Sequence, residues 1–167
     1  VGHVLDGTGS HPVRWPRAPL LFSVRESVGV APAWARPISG ARGDGAFVCV
    51  VDSGVDLRHP TFRDDTGATR VDFLLDVESS ARGEHALLER GGGAVWSAAD
   101  IDDALASGAP LPADTFGHGT AIASVALGDD GGLGAPEPGA YAGLAPEAGL
   151  LVVRALRDGA LGFEDAD

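Results

Sequence analysis

Two residues stand in places where their side chains could transfer protons. Asp52 directly follows the apolar run Ala46–Val51, and His118 lies between two glycines just before a run of small residues. In open α/β sheets, ligand crevices form at the carboxyl ends of strands, which is the place predicted for Asp52. An imidazole titrates near neutrality and suits general base work, and a carboxylate can fix its tautomer. Asp52 and His118 are therefore the candidate catalytic residues.

Several elements are predicted to position this pair. Strands are expected at Ala46–Val51, Arg70–Leu75 and Leu150–Leu156, and helices at Ser97–Gly108 and Thr120–Leu127. The first strand is apolar throughout, which favours burial on both faces and places Cys49 in the core. Strands that alternate with helices predict an α/β fold with a parallel β-sheet flanked by helices.

Composition excludes several classes of protein. The 167 residues are 44% hydrophobic and 22% charged, which is typical of a globular domain. The net charge of -12 argues against a nucleic-acid partner, since phosphate binding needs clustered positive charge. No apolar run has the length of a membrane span. A single cysteine, Cys49, rules out an intrachain disulfide.

Three motifs, in this order, resemble those of the subtilisin-like serine peptidases, the subtilase family. The first is Asp52-Ser53-Gly54 followed by His59-Pro60. The others are Gly117-His118-Gly119-Thr120 and the turn Gly143–Ala148 (GLAPEA). Each motif alone is moderately specific, but three in the family's order form a strong signal. The resemblance implies the amino-terminal portion of a subtilisin-like catalytic domain.

The resemblance implies a domain organisation and a function. Residues 1–45 are expected to form an extended arm with a helical piece near Val30–Ala35. Residues 46–167 would be the partial catalytic domain, with an insertion at about 66–112 like that of larger bacterial subtilases. The implied activity is that of a serine endopeptidase, in which Asp52 orients His118 and His118 activates a serine.

Two parts of the family's machinery are missing from these residues. The sequence contains no G-T-S motif and no asparagine, so neither the family's nucleophile nor its oxyanion side chain is present. The resemblance implies that a companion chain, or the cleaved remainder of the same precursor, supplies both. The alternative function is a non-catalytic pseudoprotease or regulatory fragment that binds a peptide or partner chain. An aspartic peptidase also uses a hydrophobic-D-[ST]-G sequence, but those enzymes are all-β.

The remaining expectations concern ligands and location. In the resembling family, the stretch after the third strand pairs with an extended peptide, so Ala160, Leu161 and Gly162 are predicted to bind a peptide or protein substrate. No cofactor is expected to be required and no metal ligand is assigned. Calcium remains open, although Thr61 occupies the position where many subtilases have an acidic ligand. Secretion or attachment to the cell envelope is expected from the family, with a cytoplasmic location not excluded.

Overall fold

The structure is a computed structural model, and it describes residues 20–35, 41–77, 79, 93–130 and 139–155. The helices are α1 (Leu20–Ser27), α2 (Val30–Trp34), α3 (Ala98–Ser107) and α4 (His118–Leu127), with a 3-10 turn at Pro60–Phe62. The strands are β1 (Phe47–Asp52), β2 (Val71–Asp76), β3 (Ala94–Ser97) and β4 (Gly149–Arg154).

The four strands form one sheet in the order β1-β4-β2-β3. The strand β4 pairs in parallel with β1 on one side and with β2 on the other. The predicted α/β fold with a parallel sheet is therefore confirmed, and the sheet contains one antiparallel strand, β3, in addition. The antiparallel strand β3 was not predicted, because its four residues directly precede the stronger signal of the capped helix α3.

The prediction that β1 is buried on both faces is wrong. Phe47 is 64% exposed and Val51 is 63% exposed, whereas Val50 on the opposite face is 5% exposed. Cys49 is exposed too, so its predicted place in the core is also wrong. The physical reason is that, in the described residues, only one face of the sheet packs against the core, and Phe73 of the internal strand β2 is also 46% exposed on the other face.

The core lies between the covered face of the sheet and the helices α3 and α4. Its most deeply buried side chains include those of Phe62, Leu74, Ile101, Leu127 and Leu150. Burial of each such side chain contributes about 1.5–3 kcal/mol relative to exposure. This packing holds α4 against the carboxyl end of β1, where the predicted site lies.

The helix α3 begins and ends where its sequence predicts. The Ser97 hydroxyl accepts a hydrogen bond from the Asp100 amide, and the Asp100 side chain accepts one from the Ser97 amide, which makes a capping box. Gly108 ends the helix in the left-handed conformation with a φ of 72°. Within the described residues, no helix is long and apolar enough to cross a membrane.

Part of the segment predicted as an extended arm is helical. The short helical piece near Val30–Ala35 is present as α2, but α1 was not predicted. Arg25 on α1 is 6% exposed and donates to the carbonyl oxygens of Gly139, Ala140 and Ala142. These long-range hydrogen bonds hold α1 on the loop before β4, because buried carbonyls need a donor.

Candidate active site

The parallel strands bring polar side chains together at the carboxyl edge of the sheet. Asp52 is the last residue of β1 and aligns with Arg154, which in turn aligns with Asp76. Arg154 and Asp76 form a buried ion pair with an N···O distance of 3.1 Å. This pair lies against the Asp52 loop, since a Cβ added at Gly54 would lie 3.3 Å from Arg154 Cδ.

Asp52 and His118 form a hydrogen-bonded pair. Nδ1 of His118 lies 2.9 Å from Oδ1 and 2.9 Å from Oδ2 of Asp52. The Asp52 side chain is 14% exposed, whereas that of His118 is 51% exposed. The two residues are 66 positions apart in sequence, so the contact depends on α4 packing against β1. The contact allows Asp52 to orient His118, the arrangement that the family resemblance implies.

The geometry determines which ring nitrogen carries the proton. A carboxylate only accepts hydrogen bonds, so the His118 nitrogen that faces Asp52 must be protonated. In the neutral imidazole, Nε2 then holds the lone pair and is able to accept a proton. The His118 side chain is half exposed, so a reacting group can reach it.

Asp52 is held in its charged form. Burial opposes ionisation of this carboxyl, but hydrogen bonds from the Ser53 amide and His118 outweigh it and lower its pKa below the ordinary value of 3.8. The Ser53 amide donates to Oδ1 at 2.7 Å. A charged Asp52 can therefore stabilise an imidazolium when His118 takes up a proton.

Gly119 allows the close approach of α4 to the Asp52 loop. A Cβ at this position would lie 2.1 Å from the Gly54 carbonyl oxygen and 3.1 Å from Asp52 Cβ. Contacts below 3.0 Å essentially never occur for Cβ atoms, so no other residue fits without movement. The glycine after His118 is thus required by the short distance between the helix and the strand end.

The third motif holds the other end of α4. Amides of Gly143, Leu144 and Ala145 donate to the carbonyls of Gly128, Val125 and Ala126, at 2.7, 3.0 and 2.8 Å. Carbonyls in the last turn of a helix lack partners within it, so this turn completes the helix end and leads directly into β4. All three motifs thereby contribute to one arrangement of β1, α4 and β4.

The other predicted positions have different outcomes. Ala160, Leu161 and Gly162 lie outside the described residues, so their predicted contact with substrate remains a prediction. Thr61 is 2% exposed, and its hydroxyl donates to the Asp129 carbonyl at 2.8 Å. No group of three or more metal-ligating side chains lies together in the described parts of the chain.

The sequence reasoning missed Asp114, which lies four residues before His118. Its carboxylate accepts hydrogen bonds from Ser53, Gly117 and Thr120. A signal was available, because an aspartate shortly before a helix start is a common capping residue. The hydrogen bonds of the described residues include none between a serine hydroxyl and His118. Ser53, which follows Asp52, contacts Asp114 and Gly119 instead.

Comparisons with known proteins agree with this geometry. The family model described as Peptidase_S8, the subtilase family, matches residues 43–167. The solved structure of the CspB protease of Clostridium perfringens is similar, with a TM-score of 0.63 and 25% sequence identity. That similarity covers 84% of this chain and 26% of the other, so the chain spans about a quarter of the solved protease. No curated protein matches the chain.

Proposed function

The chain belongs to the subtilase family, and we propose that it is part of a serine endopeptidase in which His118 is the general base and Asp52 orients it. The observation that supports this most strongly is the bidentate contact between Asp52 and His118 Nδ1, at 2.9 Å to each carboxylate oxygen. It leaves the other ring nitrogen of a half-exposed imidazole for proton transfer.

The nucleophile and an oxyanion side chain come from outside these 167 residues. The sequence has no asparagine, and the similar protease is about four times as long as the matched region. A companion chain, or the remainder of the same precursor, would supply both groups. We use the term complete enzyme for these residues together with the polypeptide that supplies the serine.

The uncovered face of β1 supports such a companion. Phe47 and Val51 are exposed on this face, and Phe73 of β2, which lies on the same face of the sheet, is 46% exposed. Sheets of parallel strands are almost always covered on both faces, because the connections between their strands place helices there. A polypeptide that covers this face would also lie beside the carboxyl edge where His118 is exposed.

The reaction follows from the tautomer of His118. Nε2 takes the proton of the serine hydroxyl as the serine oxygen attacks the peptide carbonyl carbon. The imidazolium formed is stabilised by Asp52, and it then gives its proton to the leaving amine. Water attacks the acyl-enzyme in the same way and regenerates the serine. We place the peptide beside Ala160–Gly162, where its backbone would pair with this stretch of chain.

Mutation of the pair tests this proposal. In the complete enzyme, His118→Ala and Asp52→Ala should each lower kcat/KM for a peptide substrate by several orders of magnitude, because triad members act as a unit. Glu147→Ala, which alters an exposed ion pair with Arg42, is the matched control and should leave kcat/KM unchanged.

The result also separates the enzyme from the non-catalytic alternative. Thermal unfolding of each variant would show that the fold is retained. Near-full activity in either His118→Ala or Asp52→Ala would contradict the assignment. A complete assembly that contains the serine, binds peptides and fails to hydrolyse them would favour a peptide-binding pseudoprotease.

A further inference from the structure

Asp114 lies where the Asp52 loop meets the start of α4. Its Oδ1 accepts hydrogen bonds from the Gly117 amide and the Ser53 hydroxyl, both at 2.8 Å. Its Oδ2 accepts from the Thr120 amide at 2.9 Å and from the Thr120 hydroxyl at 2.5 Å. One carboxylate thus receives four hydrogen bonds from two separate segments of the chain.

Two of these hydrogen bonds hold the backbone on either side of His118. Gly117 is the N-cap residue of α4 and has no side chain to cap the helix, and Thr120 is its third residue. Amides in the first turn of a helix need acceptors from outside it. Asp114 supplies this acceptor at positions 117 and 120, so it determines where the first turn, including His118, lies.

The other two hydrogen bonds connect Asp114 to the Asp52 loop. The Ser53 hydroxyl has one hydrogen, and its oxygen is closer to Asp114 Oδ1 (2.8 Å) than to Asp52 Oδ1 (3.1 Å). The Thr120 hydroxyl, which donates to Asp114, accepts a hydrogen bond from the Asp56 amide at 2.8 Å. Both ends of the loop 53–56 are therefore connected to the same carboxylate.

We propose that Asp114 is a positioning residue that fixes Asp52 and His118 relative to each other by joining the Asp52 loop to the first turn of α4. The proposal rests on the proposed function of that pair. Asp114 acts through Ser53, Gly117 and Thr120, and it takes no part in the proton transfer.

The charge of Asp114 is suited to this role. Burial opposes its ionisation, but hydrogen bonds from Thr120, Ser53 and Gly117 outweigh it and lower the pKa of this carboxyl below its ordinary value. An asparagine has the same shape, but its NH2 group would face donors that now face an oxygen. The asparagine variant would lose some of the four hydrogen bonds to Asp114. The Ser53 hydroxyl could then turn toward Asp52 Oδ1, which also accepts the hydrogen bond from His118 Nδ1.

The test compares Asp114→Asn with Asp64→Asn in the complete enzyme. Asp64 is the matched control, because its Oδ1 also accepts hydrogen bonds from nearby residues, Thr66 and Ala68, in a turn outside the pair. Two quantities are measured. The first is kcat and KM for a peptide substrate, and the second is the far-downfield proton NMR resonance of His118 Nδ1, which reports its hydrogen bond to Asp52 without turnover.

We expect Asp114→Asn to lower kcat about 10- to 100-fold with KM within about twofold, because a misplaced catalytic group affects the chemical step. The Nδ1 resonance should move upfield or broaden. Asp64→Asn should change neither quantity. An Asp114→Asn enzyme with kcat within about twofold of wild type, or with an unchanged Nδ1 resonance, would overturn the proposal.

Ser53→Ala keeps the proposal testable if Asp114→Asn does not fold. This variant removes only one of the four hydrogen bonds and should also lower kcat and alter the Nδ1 resonance; unchanged values for both would contradict the proposal. If both variants fold, their effects on kcat should be less than additive, because they disrupt one connection. A wild-type protein that shows the Nδ1 resonance but no peptidase activity would contradict the proposed function alone.

Discussion

The substitution Gly119→Ala tests whether the close approach of α4 to β1 sets the catalytic geometry. The new Cβ would lie 2.1 Å from the Gly54 carbonyl oxygen, well inside the 3.0 Å limit for such contacts. The helix and the loop must therefore separate by roughly 1 Å, and a displacement of that size costs about 100-fold in rate when it moves a catalytic group. We expect kcat/KM to fall about 100-fold, equivalent to about 2.7 kcal/mol.

The effect on stability should be smaller than the effect on rate. Overpacking costs about 1–3 kcal/mol, but alanine is favoured over glycine within a helix by about 1 kcal/mol. The free energy of unfolding should therefore fall by about 0–2 kcal/mol. Urea unfolding followed by circular dichroism measures this change, and peptide hydrolysis by the complete enzyme measures the rate.

Gly128→Ala is the matched control at the opposite end of α4. Its Cβ would lie 2.6 Å from Thr61 Oγ1 and 2.7 Å from the Ser124 carbonyl oxygen, so it is crowded as well. It should lower stability but change kcat/KM less than about threefold, because the crowding lies away from Asp52 and His118. The reasoning is refuted if Gly119→Ala keeps kcat/KM within about threefold, or if both variants lose activity equally.

Three further predictions concern stability. The lowered pKa of Asp114 implies that its charge stabilises the fold above the unfolded pKa of 3.8, and that this stability is lost as pH falls through the folded pKa. The loss of unfolding free energy caused by Asp114→Asn, measured by urea unfolding, should therefore shrink below about pH 4. Asp76→Ala should cost about 3–5 kcal/mol in the same measurement, because it leaves the Arg154 charge buried, whereas Glu147→Ala at an exposed ion pair should cost about 0–1 kcal/mol. Ser97→Ala should lower the unfolding free energy by about 1 kcal/mol and leave kcat/KM unchanged, since it removes a helix cap outside the site.

The contact between Asp52 and His118 could be predicted because each residue lies next to a strong local signal. An apolar strand ends at Asp52, and a helix of small residues begins at His118. The α/β fold could be predicted from the alternation of strands and helices alone. The bounds of helix α3 could be predicted to within a residue. The Ser97 side chain can cap the start of a helix, and Gly108 can adopt the left-handed conformation that ends one.

The parts that could not be predicted depend on contacts distant in sequence. An apolar run such as Ala46–Val51 does not show which face is covered, because that depends on where α3 and α4 pack against the sheet. The helix α1 has few local signals, and the structure holds it through Arg25 and a loop more than a hundred residues away. The hydrogen bonds of Asp114 to Gly117 and Thr120 had a local signal, but its link to the Asp52 loop had none, because Ser53 is 61 positions away.

The most direct test of the account is the site of a fluorophosphonate adduct in the complete enzyme. Such a probe forms a bond with a serine oxygen only when a neighbouring base activates that serine. After digestion, mass spectrometry should find the adduct on a serine outside residues 1–167, and His118→Ala should abolish it. An adduct on Ser53, or an adduct that persists in His118→Ala, would contradict the claim that His118 is the base for a serine supplied from outside these residues.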